Sequence, residues 1–157
     1  MSPPRIFCTT DQLDAAVGEH LGWSQWLAID QRRIDAFADA TGDRQWIHVD
    51  PARAAAGPYG GTVAHGYLTL SLLPVLLGDV VDYAGWQARV NYGTDKVRFP
   101  APVPVGGRVR AGVELVAARR TGTGVQVTSR VTLEIEYEGL VLPRPGLVAE
   151  TLTLLRP

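Results

Sequence analysis

Val125-Gln126-Val127-Thr128-Ser129-Arg130-Val131-Thr132-Leu133-Glu134-Ile135-Glu136-Tyr137 decides the fold class. Val125, Val127, Val131, Leu133 and Ile135 alternate with Gln126, Thr128, Arg130, Thr132, Glu134 and Glu136. Successive side chains of a strand point to opposite faces, so this is a long strand with one buried and one polar face. Val109 to Leu115 alternates in the same way. Leu147 to Leu155 is a further strand, and Ala88 to Phe99 is another, interrupted near Gly93. Pro100 to Pro104 and Leu142 to Gly146, both rich in proline, are connectors. One polar face per strand is the habit of antiparallel sheets.

Upstream the period changes. From Gly66 to about Val81 the chain reads as a mainly apolar helix, with Leu68, Leu70, Leu72, Leu73, Val75, Leu76 and Leu77. A helix apolar on nearly all sides is buried on nearly all sides. Antiparallel strands with one polar face, following such a helix, imply an α+β architecture in which a curved sheet wraps around it. Nearer the N-terminus, Thr9-Thr10-Asp11-Gln12 resembles a helix start, and His20-Leu21-Gly22 is expected to end that helix. Trp23 to Ile29 is expected as a short strand. Asp30 caps a helix over Gln31 to Ala40 whose inward face is Ile34, Phe37, Ala38 and Thr41, and Gly42 stops it. Asp50-Pro51 opens a third, short helix through Ala56, and Gly57-Pro58-Tyr59-Gly60-Gly61 breaks it.

Composition narrows the function classes. A chain of 157 residues with 46% hydrophobic and 20% charged residues suits one domain over residues 1–157. Fifteen Lys and Arg against sixteen Asp and Glu give a net charge of −1, which argues against a nucleic-acid partner. Cys8 is the one cysteine, so no intrachain disulfide forms, as in a reducing cytoplasm. Met1-Ser2-Pro3-Pro4-Arg5 lacks the apolar core of a signal peptide, and the apolar run Tyr67 to Leu77 is too short to span a bilayer, so no membrane association is expected. Three histidines without a cysteine cluster give no zinc pattern, and no metal is expected.

The chemistry concentrates in Phe37-Ala38-Asp39-Ala40-Thr41-Gly42-Asp43-Arg44-Gln45-Trp46-Ile47-His48. Asp43 and His48, two proton-handling side chains, lie five positions apart just past a helix-ending glycine. Downstream, Ala64-His65-Gly66 opens the apolar helix, whose N-terminal dipole suits developing negative charge. An acid–base pair beside such donors is what adding or removing water demands.

With Lys96-Val97-Arg98-Phe99-Pro100-Ala101-Pro102-Val103, these segments resemble the MaoC-like dehydratases, among them the (R)-specific enoyl-CoA hydratases, over about Gly22 to Leu155. The resemblance implies a hotdog fold, a strongly bent antiparallel sheet around a long central helix. It implies a homodimer with sheets joined edge to edge, and an acyl-CoA thioester substrate with no separate cofactor, coenzyme A being part of the substrate. It places the catalytic pair on Asp43 and His48 and the oxyanion-hole N–H on Gly66. Many members carry Asn-Pro where this chain has Gln45-Trp46, so Gln45 and Trp46 are expected substrate contacts, and Trp46 would reshape the acyl tunnel; His65 is set beside them as a substrate contact, with packing at the helix start as its more ordinary role. Same-fold alternatives are a 3-hydroxyacyl-carrier-protein dehydratase and a non-catalytic partner subunit. A hotdog thioesterase is disfavoured, because its usual helix carboxylate is missing between Gly66 and Leu77.

Overall fold

The computed structural model describes residues 3–157; Met1 and Ser2, with which the expected domain and the segment read for a signal peptide begin, lie outside them. In chain order the elements are β1 (Arg5–Ile6), α1 (Thr10–Ala16), β2 (His20–Trp23), β3 (Leu27–Ala28), α2 (Gln31–Thr41), α3 (Trp46–Val49), α4 (Pro51–Ala55), α5 (Gly66–Ser71) and α6 (Leu73–Gly78). They continue with β4 (Val81–Asp82), β5 (Ala88–Arg98), β6 (Arg108–Thr121), β7 (Gly124–Tyr137), β8 (Leu140–Val141) and β9 (Leu147–Arg156).

The main sheet runs β2-β6-β7-β9-β5, all antiparallel, with β3 also on β6 and β8 on β7. β7, the alternating strand, lies at its centre, and the alternation sorts its two faces. Val131, Leu133 and Ile135 pack with Val109 and Ala111 of β6 and Leu147 and Ala149 of β9 against Leu68, Leu72, Leu73 and Leu76 of α5 and α6. Farther along the same face, Val125 and Val127 pack with Leu115 and Leu155 against Leu13 and Ala16 of α1. The opposite face carries cross-strand ion pairs between register partners: Arg108–Glu136, Arg110–Glu134 and Arg130–Glu114. They keep that face polar while contributing little energy each. The bend of the sheet around α5 and α6 is the hotdog arrangement.

Local chemistry accounts for most boundaries. Thr9 and Gln12 form a reciprocal capping box at α1. Asp30 accepts from Arg33 N–H at α2, and Asp50 accepts from Arg53 N–H at α4. The interruption expected at Gly93 is a register shift between Asn91 and Gly93 in the β5–β9 ladder.

Four expectations change. The central helix ends at Gly78, not Val81, and is two pieces meeting at Leu72. Pro74 is the cause: it has no N–H for the carbonyl of Leu70 and fits best in a first turn, which here becomes the start of α6. α1 stops at Ala16, because Gly18 takes up the left-handed turn with φ +89°, and His20 to Trp23 is strand β2, not a helix end. The expected strand from Trp23 to Ile29 therefore shrinks to β3, two residues opposite Val109 and Arg108. Thr41 faces outward, its hydroxyl donating to the Phe37 carbonyl at 2.7 Å. No helix among the described residues is long and apolar enough to cross a membrane.

Candidate active site

Three stretches of backbone converge: the turn after α2, the short helix α3, and the entry to α5. Gly42 closes α2 in the left-handed region (φ +79°), its N–H bonded to the Ala38 carbonyl, and so releases Asp43 into a turn. The Asp43 carboxylate accepts from Gln45 N–H at 3.4 Å, and the Asp43 side chain is exposed. His48 follows in α3 and is buried, 7% exposed. Its Nδ1 lies 2.6 Å from the Val63 carbonyl oxygen. A carbonyl only accepts, so Nδ1 carries the hydrogen, and in the neutral ring Nε2 presents a lone pair. Burial holds the His48 pKa below the ordinary histidine value and repulsion from His65 adds to this, while the Val63 bond and the Asp43 charge oppose it.

Gln31, at the first turn of α2, braces this arrangement. Its amide donates to the His48 carbonyl at 2.7 Å, and its oxygen accepts from the Thr62 hydroxyl at 2.6 Å. It thereby ties the α3 backbone to the strand-like segment that supplies the Val63 carbonyl. Nothing in the sequence singles out Gln31, since a polar residue at a helix start is ordinary.

His65 and Gly66 arrive from α5. His65 is 2% exposed; its Nε2–H donates to the main-chain carbonyl of Asp43 at 2.9 Å. Its ring stacks on His48 with centroids 3.8 Å apart, and Phe37 lies 5.1 Å away. Gly66 N–H is in the first turn of α5, where no preceding helical carbonyl receives it. A Cβ at Gly66 would come within 2.9 Å of the Phe99 ring, so glycine is the residue that lets this ring pack against the start of α5.

A cleft of about 360 Å³ opens here, lined by Ile47, His48, Tyr59, Gly66, Phe99 and Pro102 among others. The expected site residues thus divide. His48 and Gly66 line the cleft, while Asp43 stands beside His48; donor atoms of Asp43, His48 and His65 lie within 4.8 Å of one another. His65 is behind the cleft wall. Gln45 and Trp46 are not among the lining residues. The Trp46 ring sits under the Arg53 guanidinium (4.5 Å) and against Gly57, where a Cβ would approach it to 2.9 Å, so its bulk fills the α3–α4 junction. Tyr59 and Phe99 are cleft residues that the sequence reading did not single out. A second cleft, about 240 Å³ between α5–α6 and β5–β9, includes Leu70, Leu73, Leu77 and Leu152, and none of Asp43, His48 or Gly66.

The triad of donors does not converge as a metal site does. Nδ1 of His48 and Nε2 of His65 are engaged on carbonyls, and the two rings lie face to face, 25° from parallel, instead of aiming at one point. A carboxylate oxygen and an imidazole nitrogen up to 4.8 Å apart instead suit one water, which spans such a gap with two hydrogen bonds of about 2.8 Å.

The family model described as a MaoC like domain matches residues 12–136. The chain is 51% identical over 149 residues to 3-hydroxyacyl-thioester dehydratase Z of Mycobacterium tuberculosis, covering 94% of this chain and 96% of that one. It is 46% identical over 143 residues to nodulation protein N of Rhizobium leguminosarum bv. viciae, covering 89% and 86%. Among solved structures it resembles an (R)-hydratase from A. caviae involved in PHA biosynthesis, with a TM-score of 0.66, 26% identity, and 87% of this chain and 96% of that one covered.

Proposed function

This chain belongs to the MaoC-like dehydratase family and is a hydro-lyase, and from that premise we propose that it adds water to a trans-2-enoyl-CoA to give the (R)-3-hydroxyacyl-CoA, reversibly. The observation that carries the reading is a buried imidazole on the cleft wall, its Nδ1 held by the Val63 carbonyl, with an exposed carboxylate within 4.8 Å of a ring nitrogen and Gly66 at the start of α5 lining the same cleft. The thioester-dehydratase relative and the (R)-hydratase neighbour support the same reaction class and hand.

In the scheme, a water held between Asp43 and His48 attacks C3. His48 Nε2 takes a proton from the water as its oxygen bonds to C3, and the Asp43 carboxylate accepts the other hydrogen bond and offsets the imidazolium charge. The π electrons move to C2 and the thioester oxygen, which Gly66 N–H and the first turn of α5 stabilise. His48 then returns its proton to C2 from the same face, restoring the pair. Proton transfer by such a pair contributes ~10²–10⁴-fold, and one oxyanion donor ~10²–10³-fold. No cofactor enters this scheme, coenzyme A being part of the substrate, and a reducing cytoplasm suits the single exposed thiol of Cys8.

We further propose that two copies pair through β5. It is one of the two edges of the main sheet, the other being β2 with β3, and it is exposed along almost its whole length. Its Val90 and Tyr92, with Tyr67 and Val75 of the central helices, present exposed apolar side chains. An uncovered strand of this kind is otherwise an aggregation hazard.

The test is loss of the enoyl-thioester absorbance with crotonyl-CoA, with a longer trans-2-enoyl-CoA, and with the same acyl groups on acyl carrier protein. Faster turnover of the CoA thioesters supports the proposal. Turnover of the carrier-protein substrates alone moves the assignment to a carrier-protein dehydratase. No turnover of any of them by folded protein leaves a partner subunit as the reading.

A further inference from the structure

The proposed scheme gives no task to His65, yet this residue meets all three segments that the scheme uses, two through its side chain and the third through its own main chain. Its Nε2–H bonds the Asp43 main-chain carbonyl (2.9 Å), its ring face covers that of His48 (3.8 Å), and its own carbonyl carbon is joined to Gly66 N. It is buried and walled by Phe37, and it does not line the cleft. A substrate contact is therefore the wrong role for it.

We propose that His65 is a positioning residue, which holds the Asp43 turn, the His48 ring and the Gly66 N–H in register through one imidazole. Asp43 follows the end of α2 and Gly66 begins α5, 23 positions later, and Asp43 itself is exposed. The Nε2–H bond is the side-chain tie that fixes the distance between these two pieces of backbone. The inference rests on the hydratase reading for its kinetic consequence alone.

One atom makes the idea testable. His65 Nδ1 is buried and has no hydrogen-bond partner, so replacing it with carbon forfeits no bond. His65→Phe keeps a flat, slightly larger ring to stack on His48 and removes the bond to the Asp43 carbonyl. His65→Gln places an amide N–H at about the reach of Nε2 and restores the donor without the ring. A misplacement of about 1 Å costs up to ~10²-fold in rate. His65→Phe should therefore lower kcat by roughly 10–10²-fold with KM within about threefold, and His65→Gln should recover kcat to within about fivefold of wild type. Amides of residues 43–48 should exchange with solvent faster in the Phe variant and at nearly the wild-type rate in the Gln variant.

A folded His65→Phe protein with wild-type kcat and exchange overturns the proposal. So does a Gln variant as impaired as the Phe variant, because the donor would then be irrelevant. Nitrogen-15 spectra of histidine-labelled wild type decide the matter even if a variant fails to fold: His65 must carry its hydrogen on Nε2 with coupling to the Asp43 carbonyl, and an unprotonated Nε2 refutes it. If wild type turns over no thioester, the hydratase reading falls, while the exchange rates and the nitrogen spectra still judge His65.

Discussion

Gly66→Ala separates the two things that the glycine does. An ideal Cβ there would stand 2.9 Å from Cγ and Cδ2 of Phe99 and 3.1 Å from Cδ1. Carbon atoms in ordinary contact sit at about 3.5–4.0 Å, so the ring must withdraw by roughly 0.5–1 Å. Phe99 is 40% exposed and has room to swing outward, which places the stability cost at the low end of overpacking, about 1 kcal/mol. For a chain of this size that is a fall of about 2–4 °C in Tm. On the proposed oxyanion role the added methyl group crowds the thioester oxygen beside the Gly66 N–H, and losing one oxyanion donor costs ~10²–10³-fold in kcat. Steady-state hydration of crotonyl-CoA, read beside thermal unfolding by circular dichroism, gives both quantities. Adding Phe99→Ala removes the ring that the methyl meets, so the double variant should lose the part of the destabilisation that arises from this contact and keep the rate defect. A Gly66→Ala protein with kcat within about threefold of wild type would refute the oxyanion role.

Three further outcomes follow from the same geometry. In the proposed scheme the neutral His48 is the working form, and its pKa is lowered, so kcat/KM should fall as pH drops through a value below that of an ordinary histidine; an acid limb above the ordinary value would contradict this. The linked effect on stability has the same sign, because the unfolded chain binds that proton at higher pH than the folded one: His48 stabilises fully above the unfolded value and the contribution is lost as pH falls towards the folded one, a slope in urea titrations that His48→Gln should remove. Leu133→Ala opens a hole beneath the central helices and should cost about 2–5 kcal/mol in urea unfolding, whereas Thr132→Ala on the other face should stay within about 0.5 kcal/mol; similar losses at both would mean that the faces are misassigned. Val90→Lys with Tyr92→Lys should convert the assembly to monomers on sizing chromatography, and a dimer that survives both changes would place the interface away from β5.

The elements legible in the sequence are those whose signal is long and periodic. β7 announces both its faces over more than a dozen residues, and caps as ordinary as Asp30 and Asp50 mark real helix starts. Short elements carry too few residues for a period to show. α3 spans four residues, two of them β-branched, and its helical form comes from packing on α4 and from the Gln31 brace. The two strand pairs β1–β4 and β7–β8 are two residues long and are fixed by their partners. At the candidate site, spacing within one segment is readable, and so Asp43 and His48 stand out together. What spacing cannot convey is a contact between segments: His65 on the Asp43 carbonyl joins positions 22 apart, and His48 on Val63 joins positions 15 apart. Trp46 illustrates the converse, since its place in the motif suggests the tunnel while its ring lies on Gly57 and Arg53.

In the proposed scheme Asp43 and His48 deliver both parts of one water from one side of the alkene. Hydration of crotonyl-CoA in heavy water, with stereochemical analysis at C2 and C3, tests it most directly. The expected result is the (3R) product with deuterium at C2 on the same face as the new hydroxyl, and loss of the reaction in Asp43→Asn. A (3S) product, deuterium on the opposite face, or an unimpaired Asp43→Asn protein would contradict it.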